Sequence, residues 1–408
     1  MTSPRRIHPN RYKGNPHGDR SRRHSSFDNN HAGLSLGSRD VIVAGQWVVL
    51  GRIGEGSFGE IFEVRDINTH RHYAIKRERR KENGGSQLKH ENVMYDVLAG
   101  GDGIPQCHWY GHFDGFTCIV MDLLGPSLGQ LAQSVSCMEL DIATDLVSQM
   151  VSIVEHIHSR GVILRDVKPE NFVFGAHLPP LYNDNDGVKP TCKQVFQDYW
   201  CTNDPKLYAI DFGLTCYWRD PHTGVAYSDT KKHIRDKTGT ARYASIQVHR
   251  GNLPSRRDDL ESIGYILLDL VLGGRLPWAG VHAKNSKAGW DKVWRVKVDT
   301  PLSELCAGLP QAVVDFIAYT RSLRFMDQPD YDRLRGFLHA AAAGPDHYNQ
   351  PDQIVTSPPP LSNETDDDHY ELFAMDDMKH HLPTVPETPK KVGWNTHKRL
   401  DMTDWTND

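Results

Sequence analysis

The chain has 408 residues, 38% of them hydrophobic and 24% charged, with a formal net charge of −5. At roughly 100–200 residues per domain, this length allows two or three compact units with a real interior. The nearly balanced charge excludes a generic nucleic-acid binder. Seven cysteines, at 107, 118, 137, 192, 201, 216 and 306, are scattered and form no Cys-x-x-Cys pair. An odd, unclustered set argues against a disulfide framework and a structural zinc site, and for a reducing compartment such as the cytoplasm or nucleus. No apolar stretch follows the opening Met-Thr-Ser-Pro-Arg-Arg, so no secretory signal is expected. The most apolar segment, 263–272, contains Asp269 and is too short to span a bilayer. No cysteine follows Cys306, so no C-terminal lipid anchor is expected.

Residues 1–44 read as a disordered basic arm, with eight Lys/Arg against three Asp within the first 40. Such a stretch has too little apolar surface to offset the entropy of ordering. From Trp47 to Val120, short β-rich runs alternate with turns, and one helix is predicted over Gln87–Leu98. The first turn of interest is Gly54-Glu55-Gly56-Ser57-Phe58-Gly59, between two strand-like runs. Glycines there let backbone N–H groups approach a phosphate with no Cβ in the way. On its own the motif fits a plain hairpin turn equally well. Lys76 ends the strand Tyr73-Ala74-Ile75 and stands 17 residues after Gly59. Glu91 shares a helical stripe with Leu88, Tyr95 and Leu98. A carboxylate in an apolar stripe needs a partner, and Lys76 is an apt one.

The character changes near Leu124–Pro126. Beyond it, helices are predicted over Leu140–Ser159, Asp258–Leu272, Gln311–Leu323 and Arg333–Ala343. The expected organisation is an N-lobe at 45–124 and a C-lobe at 125–345, with an acidic disordered tail at 346–408. From 351 onward that tail carries 12 Asp/Glu against 5 Lys/Arg, and a short helix is expected near Tyr370–Met378.

Two segments in the second lobe carry the most specific pattern: Ile163-Leu164-Arg165-Asp166-Val167-Lys168-Pro169-Glu170-Asn171-Phe172 and Ala209-Ile210-Asp211-Phe212-Gly213-Leu214. With the glycine turn, Lys76 and Glu91, they resemble the signature set of a eukaryotic protein kinase. The resemblance implies an α+β bilobal fold, a β-rich small lobe and a larger helical lobe. It implies phosphoryl transfer from ATP with Mg²⁺, which demands positioning and charge neutralisation. Asp166 would accept or orient the proton of the substrate hydroxyl, and Lys168 would steady the γ-phosphate. Lys76, paired with Glu91, would hold the α/β-phosphates. Asn171 and Asp211 would hold the metal, hard oxygen donors that suit Mg²⁺. The histidine usual before Arg165 is Leu164 here, an apolar replacement for a mainly packing residue.

Further segments resemble the casein kinase 1 family over about 46–340. These are Leu123-Leu124-Gly125-Pro126-Ser127-Leu128, Lys237-Thr238-Gly239-Thr240-Ala241-Arg242-Tyr243-Ala244-Ser245-Ile246, Ser255-Arg256-Arg257-Asp258-Asp259-Leu260-Glu261 and Leu276-Pro277-Trp278. Ser245-Ile246-Gln247 stands where most kinases have Ala-Pro-Glu. This resemblance implies a monomeric Ser/Thr kinase acting on protein substrates, with no stable nucleic-acid partner and no membrane anchor; the alternative is a pseudokinase scaffold. The nucleotide would lie among Ile53, Gly54, Glu55, Gly56, Ser57, Phe58, Gly59, Ile61, Ala74 and Lys76 above. Met121, Asp122 and Leu124 would form the hinge, with Val173 and Ile210 below. Asp259 would brace the catalytic loop backbone. Acidic or phosphorylated residues upstream of the target would be favoured, through Arg242, Gly280 and Lys287, beside Lys231, Lys232, Arg235 and Lys237. A further departure, an insertion at 175–206, reads as a surface loop partly pinned by its aromatics.

Overall fold

Alternation along Tyr73-Ala74-Ile75 and Cys118-Ile119-Val120-Met121 gives strands with two distinct faces. In the computed structural model these strands belong to a six-stranded antiparallel sheet. The described residues are 41–56, 59–80, 86–175, 191–200, 205–227 and 238–344. Residues 1–40 of the arm, the acidic tail, Ser57, Phe58, Lys231, Lys232, Arg235 and Lys237 lie outside them, whereas 41–44, expected as the end of the arm, are ordered and supply an edge strand. The sheet comprises β1 (Ile42–Val43), β2 (Trp47–Gly56), β3 (Gly59–Asp66), β4 (His72–Arg79), β5 (Cys107–Phe113) and β6 (Phe116–Asp122), in the order β1-β2-β3-β4-β6-β5. Ile75, Cys118 and Val120 face a small cluster with Val43, Trp47, Phe62 and Val64. Ala74, Ile119 and Met121 point the other way, into the main core.

Helix α1 (Gln87–Leu98) crosses on that second face, with Leu88, Glu91, Met94, Tyr95 and Leu98 buried as the stripe predicts. The helical region follows: α2 (Leu128–Ser134), α3 (Leu140–Ser159), α4 (Cys192–Trp200), α5 (Ile246–His249), α6 (Arg256–Val271), α7 (Ser286–Asp299), α8 (Leu302–Leu305), α9 (Gln311–Ser322) and α10 (Tyr331–Ala343). Short antiparallel pairs join β7 (Val162–Ile163) to β10 (Cys216–Tyr217), and β8 (Phe172–Phe174) to β9 (Leu207–Ala209). Helix α6 runs through the middle and packs on α3 and α9. It starts at Arg256, two residues before the expected Asp258, because Asp258 reaches back to accept from Ser255 N at 2.6 Å. Likewise α10 begins at Tyr331 because Asp330 caps it, accepting from Arg333 N at 2.9 Å. No helix among the described residues is long and apolar enough to cross a membrane.

Within the insertion, the described residues Cys192–Trp200 are helical where a loop was expected. Its described part contains α4, and Cys192, Val195 and Phe196 are buried in the main core. The Phe196 ring lies 5.8 Å from that of Phe174, centroid to centroid. Cys192, Val195 and Phe196 recur at helical spacing, a signal diluted by the polar residues around it. Replacing Phe196 by Ala empties a fully buried aromatic site and is expected to cost about 3 kcal/mol. Denaturant unfolding checks this; a loss under about 1 kcal/mol would mean that α4 contributes no core packing.

Candidate active site

β4 carries Lys76 on the same face as Ala74, toward α1. The helix is tied to the same strand. Glu78 accepts from Gln87 N at 3.0 Å and Leu88 N at 3.3 Å, satisfying donors of the first turn. That anchor sets the roll of α1, and Glu91 then meets Lys76. Lys76 Nζ donates to Glu91 Oε2 at 2.8 Å and to Asp211 Oδ1 at 2.8 Å. Burial alone would lower the ammonium, but the Glu91 and Asp211 carboxylates outweigh it and hold Lys76 above its usual value. The lysine is charged and pinned at both ends.

Asp211 has φ 65°, in the left-handed region, as does Arg165 at φ 69°. Such conformations are costly for residues with a Cβ and persist where neighbours over-determine them. At Arg165 the neighbour is Asp259, near the start of α6. Its Oδ2 accepts from Leu164 N at 2.7 Å and its Oδ1 from Arg165 N at 2.9 Å. Asp259 therefore braces the catalytic loop as expected. His158 Nε2 stands 3.0 Å from the same Oδ2, and His158 Nδ1 stands 2.8 Å from the Tyr331 hydroxyl. Leu164 is buried in the same core as Phe212. The Phe212 ring meets Tyr95 edge-on at 4.9 Å. The leucine thus supplies the packing half of the missing histidine's part.

Asp166 is held on both carboxylate oxygens. Lys168 Nζ donates to Oδ2 at 2.6 Å, and Thr240 Oγ1 donates to Oδ1 at 2.8 Å. Thr240 can lie this close because Gly239 precedes it. Gly239 has φ +92°, and a Cβ there would come within 2.6 Å of Arg165 O. Asn171 Nδ2 donates to the Asp166 carbonyl at 3.0 Å, which leaves its amide oxygen for a ligand. Ile210 N donates to Asn171 O at 2.9 Å, bringing Asp211 alongside. The Asn171 amide oxygen and the Asp211 carboxylate form a hard oxygen pair that fits Mg²⁺. Among the described residues no cluster of three metal-ligating His, Cys, Asp or Glu occurs.

The roof of the cleft is built by register. Ile61 pairs with Lys76, and Ala74 with Met121. Tyr95 Oη donates to Met121 Sδ at 3.5 Å. Ile53 sits at a bulge between Arg52 and Gly54 and is exposed. Two glycines of the turn serve different ends. A Cβ on Gly59 would fall 2.0 Å from Arg77 O, so β3–β4 pairing demands glycine there. A Cβ on Gly54 would meet nothing within 4 Å among the described residues, so their packing does not demand glycine there. At the hinge, the Asp122 carboxylate faces β5, taking Gln106 N at 2.8 Å and lying 2.7 Å from His108 Nε2. Leu124 is half-buried, and Val173 is buried opposite Tyr208 in the β8–β9 pair.

The segment after Gly239 is anchored by residues the sequence reading passed over. Ile246 N donates to Glu261 Oε1 at 3.1 Å, and Tyr265 Oη donates to the same oxygen at 2.6 Å. Arg321 Nε stands 3.7 Å away. Glu261 on α6 thus ties the Ser245-Ile246-Gln247 segment to Tyr265 and Arg321. Ser245 Oγ donates to Asp258 at 2.5 Å. Lys297, fully buried on α7, donates to Ala241 O at 2.9 Å and Ala244 O at 2.6 Å. Of the three residues expected to hold a substrate phosphate, Arg242 binds Asp269, while Gly280 and Lys287 are exposed. No hydrogen bond or ion pair among the described residues joins either of them to Arg242.

Residues 47–319 match the family described as protein kinase domain. The chain is a member of the protein kinase family. Its activity is phosphoryl transfer to protein, and domains of this family use ATP and Mg²⁺. The two-lobed expectation stands, with the sheet N-terminal and the helices C-terminal.

Burial outweighs the Asp259 carboxylate at His158 and holds its imidazole below the ordinary 6.5. The unfolded chain therefore takes up that proton more readily. The stabilisation is complete above about pH 6.5 and is lost as pH falls toward the lowered folded value. Between roughly pH 7 and pH 5, wild type should lose more Tm than His158→Gln. An equal loss in both would contradict a buried neutral imidazole.

Proposed function

We propose that this kinase is a Ser/Thr protein kinase of the casein kinase 1 type, favouring target hydroxyls with acidic or phosphorylated residues upstream. The observation that carries the reading is the Asp166 carboxylate, held between the Lys168 ammonium and the Thr240 hydroxyl while Lys76 bridges Glu91 and Asp211. Every charged group that the chemistry asks for is in contact with its partner. Bound ATP with Mg²⁺ supplies the γ-phosphoryl group and neutralises its charge. Lys76 holds the α/β-phosphates against the roof. Asp166 orients the substrate hydroxyl and takes its proton as the new O–P bond forms and the bond to the β-phosphate oxygen breaks. Lys168 steadies the γ-phosphate as charge shifts to the leaving group. Thr240 ties the segment after Gly239 to the base, so docking of a peptide on that segment is coupled to the position of Asp166.

The reading also places the protein in the cytoplasm or nucleus, acting as a monomer. Support for the reducing compartment comes from the odd, scattered set of seven cysteines in the sequence.

The test is phosphate transfer from ATP·Mg²⁺ to casein and to peptides that carry Ser, Thr or Tyr as the sole acceptor. Serine and threonine peptides should be phosphorylated and the tyrosine peptide spared. Asp166→Asn should lose roughly 10²–10⁴-fold in kcat. Transfer to tyrosine would overturn the Ser/Thr assignment. Wild type no faster than Asp166→Asn, with ATP still bound, would favour the scaffold alternative.

A further inference from the structure

An arginine recognises phosphate best through the fork made by Nε and one terminal nitrogen, which matches two oxygens at once. In Arg242 that fork is already filled. Nε donates to Asp269 Oδ2 at 3.1 Å, and Nη2 donates to Asp269 Oδ1 at 2.5 Å. Nη2 also donates to Gly274 O at 2.7 Å. The carboxylate belongs to the last turns of α6 and is itself fixed, because Tyr243 Oη donates to its Oδ2 at 2.7 Å. The Arg242 carbonyl is held by Trp278 Nε1 at 2.8 Å, so the residue is anchored through backbone and side chain alike. The Arg242 side chain is 30% exposed and that of Asp269 11%, so the pair sits at the rim.

Two consequences follow from charge. A phosphate arriving at the pair meets one positive and one negative group together, and their fields nearly cancel beyond contact range. A phosphate that takes the fork must first displace a carboxylate that is covalently part of the fold. Arg242 also lies two residues after Thr240, whose hydroxyl touches the catalytic base. An anion bound at Arg242 would thus stand beside the peptide path.

We propose that Asp269 is a specificity-determining residue: its carboxylate occupies Arg242 as an internal substitute for a substrate phosphate and suppresses the preference for phosphorylated substrates. This rests on the Ser/Thr kinase reading and departs from it at one point: the preference for phosphorylated upstream residues is held off by Asp269 in this chain. Wild type accepts primed and unprimed peptides at similar efficiency, and the preference emerges once Asp269 loses its charge.

The experiment compares kcat/KM for two peptides, identical except for serine or phosphoserine three residues before the target serine. Their ratio on one enzyme preparation is independent of the active fraction. Wild type should show a primed-to-unprimed ratio near one. Asp269→Asn should raise it about fivefold, the size of one partly solvated charge interaction. Asp269→Ser, which removes the charge with a smaller side chain, should act in the same direction. Adding Arg242→Gln to Asp269→Asn should cancel the gain. A ratio unchanged by both Asp269 variants, or a gain that survives Arg242→Gln, overturns the proposal. A wild-type assay needs no variant to fold: a phosphopeptide with alanine at the target position and its unphosphorylated twin should inhibit within about twofold of each other. A phosphopeptide at least roughly tenfold stronger than its twin would also overturn it. If wild type phosphorylates neither substrate peptide, it is the kinase reading that fails.

Discussion

A single buried positive charge organises the cleft. Lys76 is surrounded by protein on β4 and cannot stay charged there without partners. Its two partners come from different parts of the chain, Glu91 from α1 and Asp211 from the loop after β9. Satisfying one ammonium therefore fixes the helix against the sheet and the sheet region against the helical region. Removing one partner would leave the ammonium paired with the other carboxylate but would untie it on that side, from α1 or from the loop after β9. The Glu78 anchor on α1 and the Tyr95–Phe212 contact reinforce the same alignment from either side.

The second organising element is α6. Four of its carboxylates hold backbone or side chains of the segments that line the site. Asp258 takes Ser245, Asp259 takes the catalytic loop, Glu261 takes Ile246 and Asp269 takes Arg242. One buried helix thus positions both the loop that carries Asp166 and the segment that carries Thr240. Burial leaves its mark on Asp258, whose carboxyl is pushed up to about 6. A helix this polar at its start can be central only because each carboxylate is met by donors.

Much of this was legible in the sequence. The stripe Leu88, Glu91, Tyr95, Leu98 announced a buried carboxylate, and Lys76 is its partner. Asp259 meets the backbone of the Leu164–Arg165 loop where the family resemblance put it. Helix α4 was missed because its described core residues, Cys192, Val195 and Phe196, are spaced among polar neighbours in a short segment. Lys297 was missed although its signal matched that of Glu91: Trp290, Val293 and Lys297 form the buried stripe of α7. Nothing local identifies its partners, which are carbonyls more than fifty residues upstream. The Asp269–Arg242 pair was hidden for a related reason. An aspartate in the apolar run 263–272 ruled out a membrane span, yet its own partner depends on how the chain folds back over α6.

The most direct measurement of the account is phosphate transfer by Glu91→Gln, which keeps the shape of the side chain and removes one of the two charges on Lys76. If the charged knot positions the phosphates, kcat/KM for ATP should fall by roughly 10–10²-fold while the cleft still forms. Transfer at the wild-type rate would contradict the account, because it would mean that Lys76 needs no carboxylate from α1 to do its part.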